Sequence, residues 1–144
     1  MQNIQMHNDL ADRCNGIEEC YEFLLAYAAQ GVGGEEGGGK SGQIRHFLER
    51  AAEAMSGLPD AYASTVAGLE PAPRYEAFGA VLARDADDSL AAIQLVLAQP
   101  SIPSQLIDNL NASIHLRALL TDLFLIDEVL KAQLGTQVSS RGGG

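Results

Sequence analysis

A chain of 144 residues with 47% hydrophobic content is long enough for one ordinary domain that removes roughly 70% of its unfolded surface from water. Only 6% of the chain is aromatic and Trp is absent, so the core has to be built from Leu, Ala, Ile and Val, a composition that favours helices. Against 9 Lys and Arg stand 19 Asp and Glu, a net charge of -10 that repels phosphate backbones and anionic lipid headgroups; nucleic acid and membrane surfaces are thereby disfavoured as partners, and a basic protein is permitted.

The first periodic segment runs from about Met6 to Ala29. Leu10, Cys14, Ile17, Tyr21, Leu24, Leu25 and Ala28 recur every three or four residues, with Asp9, Asp12, Glu19 and Glu22 on the other side, which predicts an amphipathic helix stopped by Gly31. On this reading Cys14 points inward and Cys20 lies off the stripe. Residues 31 to 43 hold seven glycines, too many for the interior of an element, and predict a surface loop. The next helix buries Ile44, Phe47, Leu48, Ala51, Met55 and Leu58 and turns Arg45, His46, Glu49, Arg50 and Glu53 outward. "SGLPD" at 56 to 60 breaks it, and a short helical piece with Tyr62, Val66 and Leu69 follows before Pro71 and Pro73.

From Arg74 to Gln99 the set Tyr75, Phe78, Leu82, Ala86, Leu90, Ile93, Val96 and Leu97 again has helical spacing, with Asp85, Asp87 and Asp88 mostly off that face. "PSIPS" at 100 to 104 predicts a short turn, with Ser101 or Ser104 as a cap and antiparallel helices on either side. The last helix is predicted over Gln105 to Leu134, closed by Gly135, so that residues 1–135 form one domain and 136–144 a frayed tail. The expected fold is all-α: an antiparallel four-helix-type bundle with a Gly-rich loop between helices 1 and 2.

Three constellations bear on chemistry. "GEEGGGKS" at 34 to 41 fits the phosphate-binding pattern with Gly34, Gly39, Lys40 and Ser41, and "LFLIDE" at 123 to 128 resembles the magnesium-holding strand of P-loop NTPases. The resemblance implies Lys40 on phosphate, Ser41 and Asp127 on the metal, and Glu128 orienting water. The surroundings oppose it: a helix precedes the loop, Glu35 and Glu36 would repel phosphate, and no β-branched runs supply a parallel sheet. His46, Glu49 and Glu53 share one helix face opposite Ile44 and Leu48, which reads as a solvated, ion-paired surface rather than a metal site. His7 sits at the margin of the first stripe. Asp108, Asn111, His115 and Asp122 form a polar seam along the last helix, either its outward face or a small-ligand site shared with a facing helix.

No nucleophile with its base can be assembled, and Glu18, Glu19 and Glu22 would raise rather than lower a thiol pKa, so no catalytic, cofactor or metal residue is assigned. Gln94, Arg117 and Asp122 interrupt the most apolar stretches, which excludes a membrane span. The N-terminus lacks the basic and apolar blocks of a secretory signal, and Cys14 and Cys20 make no disulfide framework, so a cytoplasmic location is expected. The reading is a non-enzymatic acidic protein acting through protein–protein contact, with a metal- or small-ligand-binding bundle and a nucleotide-binding protein as alternatives. Leu116 to Leu130 is apolar around most of the helix, which predicts a two-fold homodimer through Leu116, Leu119, Leu123, Ile126 and Leu130.

Overall fold

A computed structural model of the chain describes residues 2–31 and 40–143, with side-chain surroundings over 9–31 and 42–133. Among the described residues there is no strand, and every element is a helix: α1 (Gln2–Ala29), α2 (Lys40–Ser56), α3 (Leu58–Val66), α4 (Ala72–Leu97), α5 (Ser104–Ala112) and α6 (His115–Gly143). The all-α expectation holds. Gly31 ends α1 as predicted, at φ 68, where a side chain would be strained. Residues 32–39 of the Gly-rich segment lie outside the described residues; Lys40 already belongs to α2.

The predicted last helix is two helices. Ser113 takes an extended backbone (φ -64, ψ 142), and its hydroxyl donates to the Leu110 carbonyl, closing α5 before α6 starts anew. α6 also continues through Gly135 to Gly143 instead of leaving a tail at 136. A single glycine costs a helix only about 1 kcal/mol, and Gly135 has no following proline to enforce a stop. Nor does either serine of "PSIPS" cap α5. Pro103 holds the cap position, and the buried Ser104 hydroxyl donates 2.8 Å to the carbonyl of Tyr27. Accordingly α5 lies chiefly along α1 and only lightly against α4, contrary to the expected α4–α5 hairpin. The Tyr27 hydroxyl donates to Ile102 and the Asn111 amide donates to Leu24, so three polar side chains fasten this one helix pair.

Helix α1 is the hub, touching α2, α3, α5 and α6. Its fully buried set is Leu10, Ile17, Cys20, Leu24 and Tyr27, while Leu25 is exposed and Cys14 only half-buried, so the stripe is rotated from the predicted one and the two cysteines exchange roles. The rotation follows from α1 having neighbours on several sides. Phe23 stacks on Phe47 of α2 at a centroid distance of 4.2 Å.

Two arginines finish helices that the sequence leaves uncapped. Arg13 of α1 donates from Nη1 to the carbonyls of Glu53 and Ala54 at the end of α2, both at 3.2 Å, and lies over Gly57, where a Cβ would meet the guanidinium at 2.5 Å. Arg45, expected to face solvent, is half-buried and donates to the carbonyls of Leu97 at 3.1 Å and Gln99 at 2.7 Å at the end of α4. A cation there satisfies otherwise unpaired carbonyls and meets the negative end of the helix dipole. Both arginines are therefore committed to helix ends, and Arg13 also pairs with Asp9 at 3.2 Å.

Candidate functional site

Helix α6 rests along α4 and touches α1 only sparsely. Residues 10–18 of α1 face 123–131 of α6 at one end, and 18–22 face 117–124 at the other, so the two helices run antiparallel with a groove between them. Its deeper end encloses about 310 Å³. Leu10, Cys14, Leu123, Ile126 and Leu130 make an apolar floor, and Phe124 lines both ends while remaining 52% exposed. A half-exposed phenylalanine at the waist of an apolar groove is an anchor point of the kind that dominates binding energetics.

The rim of the groove is acidic. Glu18 and Glu22 come from α1 and Asp127 from α6. The thiol of Cys14 registers that field: burial, then Glu18, then Asp127 push its pKa up to about 12. Of the two cations on the rim, Arg117 and Lys131, the second is held 3.0 Å from Asp127 and 4.0 Å from Glu128. Cys20 is also pushed up to about 12, chiefly by burial, so neither thiol is poised as a nucleophile.

The residues singled out for a homodimer do not form an outer surface. Leu116, Leu119, Leu123 and Ile126 are buried within the chain, and Leu130, partly buried, lines the groove. The outward stripe of α6 is instead Arg117, Thr121, Phe124, Leu125 and Glu128, spaced at i, i+4, i+7, i+8 and i+11. Arg117, Thr121 and Glu128 thus share one face of α6, and Phe124 and Leu125 interrupt it. Helical spacing around a fixed burial direction would have found this pair; what was missing was the direction, which is set by α4 and α1.

The polar seam does not survive the break at Ser113. Asp108 and His115 are exposed, Asn111 is turned to Leu24, and Asp122 is half-buried toward α4, where Asp85 faces it. Asp122 Oδ2 is sealed from solvent and meets no donor while both carboxyls are ionised; the contact becomes a hydrogen bond when one of them holds a proton. Burial first, and Asp85 second, push the Asp122 carboxyl up to about 7.

His46, Glu49 and Glu53 are exposed on α2, and among the described residues no three His, Cys, Asp or Glu side chains converge as metal ligands. His7 lies outside the residues whose side chains are described. The nucleotide-binding alternative lacks its sheet among the described residues, although Lys40 and Ser41 do open a helix as the motif has them. Gly34 and Gly39 lie outside the described residues, but Lys40 and Ser41 are in α2, a helix precedes the segment, and Asp127 and Glu128 lie within α6 where the motif requires a strand. A second hollow, between α3 and α4, is lined by Tyr62, Val66, Leu69, Tyr75 and Gly79, and the Tyr62 hydroxyl is already engaged with the Tyr75 carbonyl at 2.7 Å. Among the described residues no helix is long and apolar enough to cross a membrane. No protein-family model, no curated protein and no solved structure matches this chain.

Proposed function

We propose that the protein is a non-enzymatic, acidic interaction module, built on a frame of four long helices, that holds a segment of another protein in the groove between α1 and α6. The observation that carries this reading is the groove itself: an apolar floor, a half-exposed Phe124 at its centre and carboxylates along its rim. The raised thiol pKa values and the early commitment of Arg13 and Arg45 to helix ends agree with a role that needs no catalytic group.

A two-fold dimer through the same face is disfavoured by charge. An isologous contact would bring the acidic α1 wall of one copy, with Glu18 and Glu22, up to the same groove of the other. The partner is therefore a different protein. The test is affinity capture from the native source with the wild-type chain and with Phe124→Glu, identifying retained proteins by mass spectrometry. A specific partner held by the wild type and lost with Phe124→Glu, at unchanged helicity, is the expected result. Equal recovery by both proteins would contradict the groove as the binding surface.

A further inference from the structure

Resting on that reading, the geometry points to a basic amphipathic helix as the occupant of the α1–α6 groove, docked antiparallel-bundle fashion with its apolar stripe against Phe124 and its Lys and Arg residues over Glu18 and Glu22 of the α1 wall. Three features select this partner. First, the groove is flanked by two antiparallel helices and runs from Leu10 to Glu22 along α1, roughly 18 Å at the helical rise per residue, which is the length of about three turns. No sheet edge exists among the described residues to accept an extended strand, so a helix laid in the groove is the binding mode that the architecture offers.

Second, the floor is dry and the walls are charged. Leu10, Leu123 and Ile126 close the floor as buried core, and the carbon within reach of an occupant is that of Cys14, Phe124 and Leu130, so affinity needs an apolar stripe at i, i+3, i+4 and i+7. Third, the α1 wall is acidic, carrying Glu18 and Glu22, whereas on the α6 wall Asp127 is paired with Lys131 at 3.0 Å and Arg117 stands at the other end. Glu18 and Asp127 approach from opposite helices closely enough that both act on the one thiol at Cys14, and Glu22 extends the same sign toward the other end. Beyond the rim, Asp12 and Glu19 add exposed acid to α1, while Asp9 is paired with Arg13 at 3.2 Å. An acidic or neutral helix would leave these carboxylates facing either like charge or nothing; a basic one is steered in and paired.

The experiment uses the intact protein and a synthetic helical peptide of about four turns, made of Leu and Lys with the Leu residues on one stripe, and a Leu/Glu peptide of identical pattern. Binding is read by fluorescence anisotropy at low and at physiological salt. The wild type should bind the Leu/Lys peptide saturably, Phe124→Ser should weaken it at least about tenfold, and salt should weaken it further; the Leu/Glu peptide should not saturate. Charge reversal by Glu18→Lys with Glu22→Lys should abolish the preference between the two peptides. Equal binding of the Leu/Lys peptide by wild type and Phe124→Ser would overturn the groove as its seat. Equal binding of the two peptides by the wild type, or binding of neither while the captured native partner still depends on Phe124, would overturn the basic chemistry and leave the broader reading standing. A wild type that sediments as a dimer, with Phe124→Ser monomeric, would make a second copy the occupant and overturn the proposal.

Discussion

Replacing Leu123 and Ile126 together with glutamate is expected to unfold the protein, not to separate subunits. Leu123 is 1% exposed and Ile126 4%, and both sit on the side of α6 that closes the core. Each new carboxylate would be buried without a donor, a penalty of several kcal/mol per group even after the surroundings relax, against a total stability of about 5–15 kcal/mol for a domain of this size. Loss of the apolar contacts adds roughly 2–5 kcal/mol per position. Circular dichroism of Leu123→Glu/Ile126→Glu should show no cooperative thermal transition and greatly reduced helicity at room temperature. A folded, monomeric variant beside a dimeric wild type would reverse the placement of α6 and restore these residues as an intersubunit surface.

The second large effect is in pH. Because burial and Asp85 lift the Asp122 carboxyl from its ordinary 3.8 to about 7, the folded chain holds that proton more tightly than the unfolded chain does. The sign follows directly. Stability contributed by protonation is complete below 3.8, declines as pH rises from there to about 7, and is gone above it. Asp122→Asn keeps the shape and supplies an amide donor to Asp85 at every pH. It should match the wild type most closely below about pH 4 and exceed it above about pH 7, by about 1–2 kcal/mol once solvent screening of a half-buried carboxyl is allowed for. That corresponds to a rise in Tm of about 3–8 °C at alkaline pH for a chain of this length. A Tm difference that is constant across the range would show that the two carboxyls do not share a proton.

The sequence is informative where a single physical rule governs an element and uninformative where the partner is far away in the chain. Helical spacing placed Ile44, Leu48, Ala51 and Met55 in the core of α2, and Leu82, Ala86, Ile93 and Val96 in that of α4, because each of those helices buries one continuous face. The same rule misjudged α1, where contact with four other helices widens the buried arc to include Cys20 and Tyr27 and leaves Leu25 in water. Gly31 was legible as a terminator since only glycine accepts its backbone geometry cheaply, whereas the break at Ser113 carries neither Gly nor Pro and depends on α5 being drawn to α1 through Tyr27, Ser104 and Asn111. Arg45 reads as a solvated charge, and nothing local marks Arg13 as a helix cap. Their carbonyl partners lie about 40 and about 50 positions away, beyond any local pattern.

The groove was half visible. An unusually apolar α6 signalled that something must cover it, but which residues remain for a partner depends on how much of the helix α4 and α1 already cover. The covered part is Leu116, Leu119, Leu123 and Ile126 of the set expected at a dimer, with Leu130 partly buried in the groove, and the apolar residues left over are Phe124 and Leu125. Acid along the rim was written in the composition from the start, since a net charge of -10 on a small chain has to appear on its walls.

Hydroxyl-radical footprinting of the protein with and without its captured partner tests most directly whether the α1–α6 groove is the working surface. Tyr21, Phe124 and Leu125 are at least partly accessible in the free chain and lie in or beside the groove, while Val81, Leu95 and Ile114 are exposed outside its lining. Bound partner should suppress oxidation at Tyr21 and Phe124 strongly and leave Val81 and Leu95 unchanged. Protection at Val81 and Leu95 with Phe124 still open would contradict the account, and would move the interaction to the other side of the molecule.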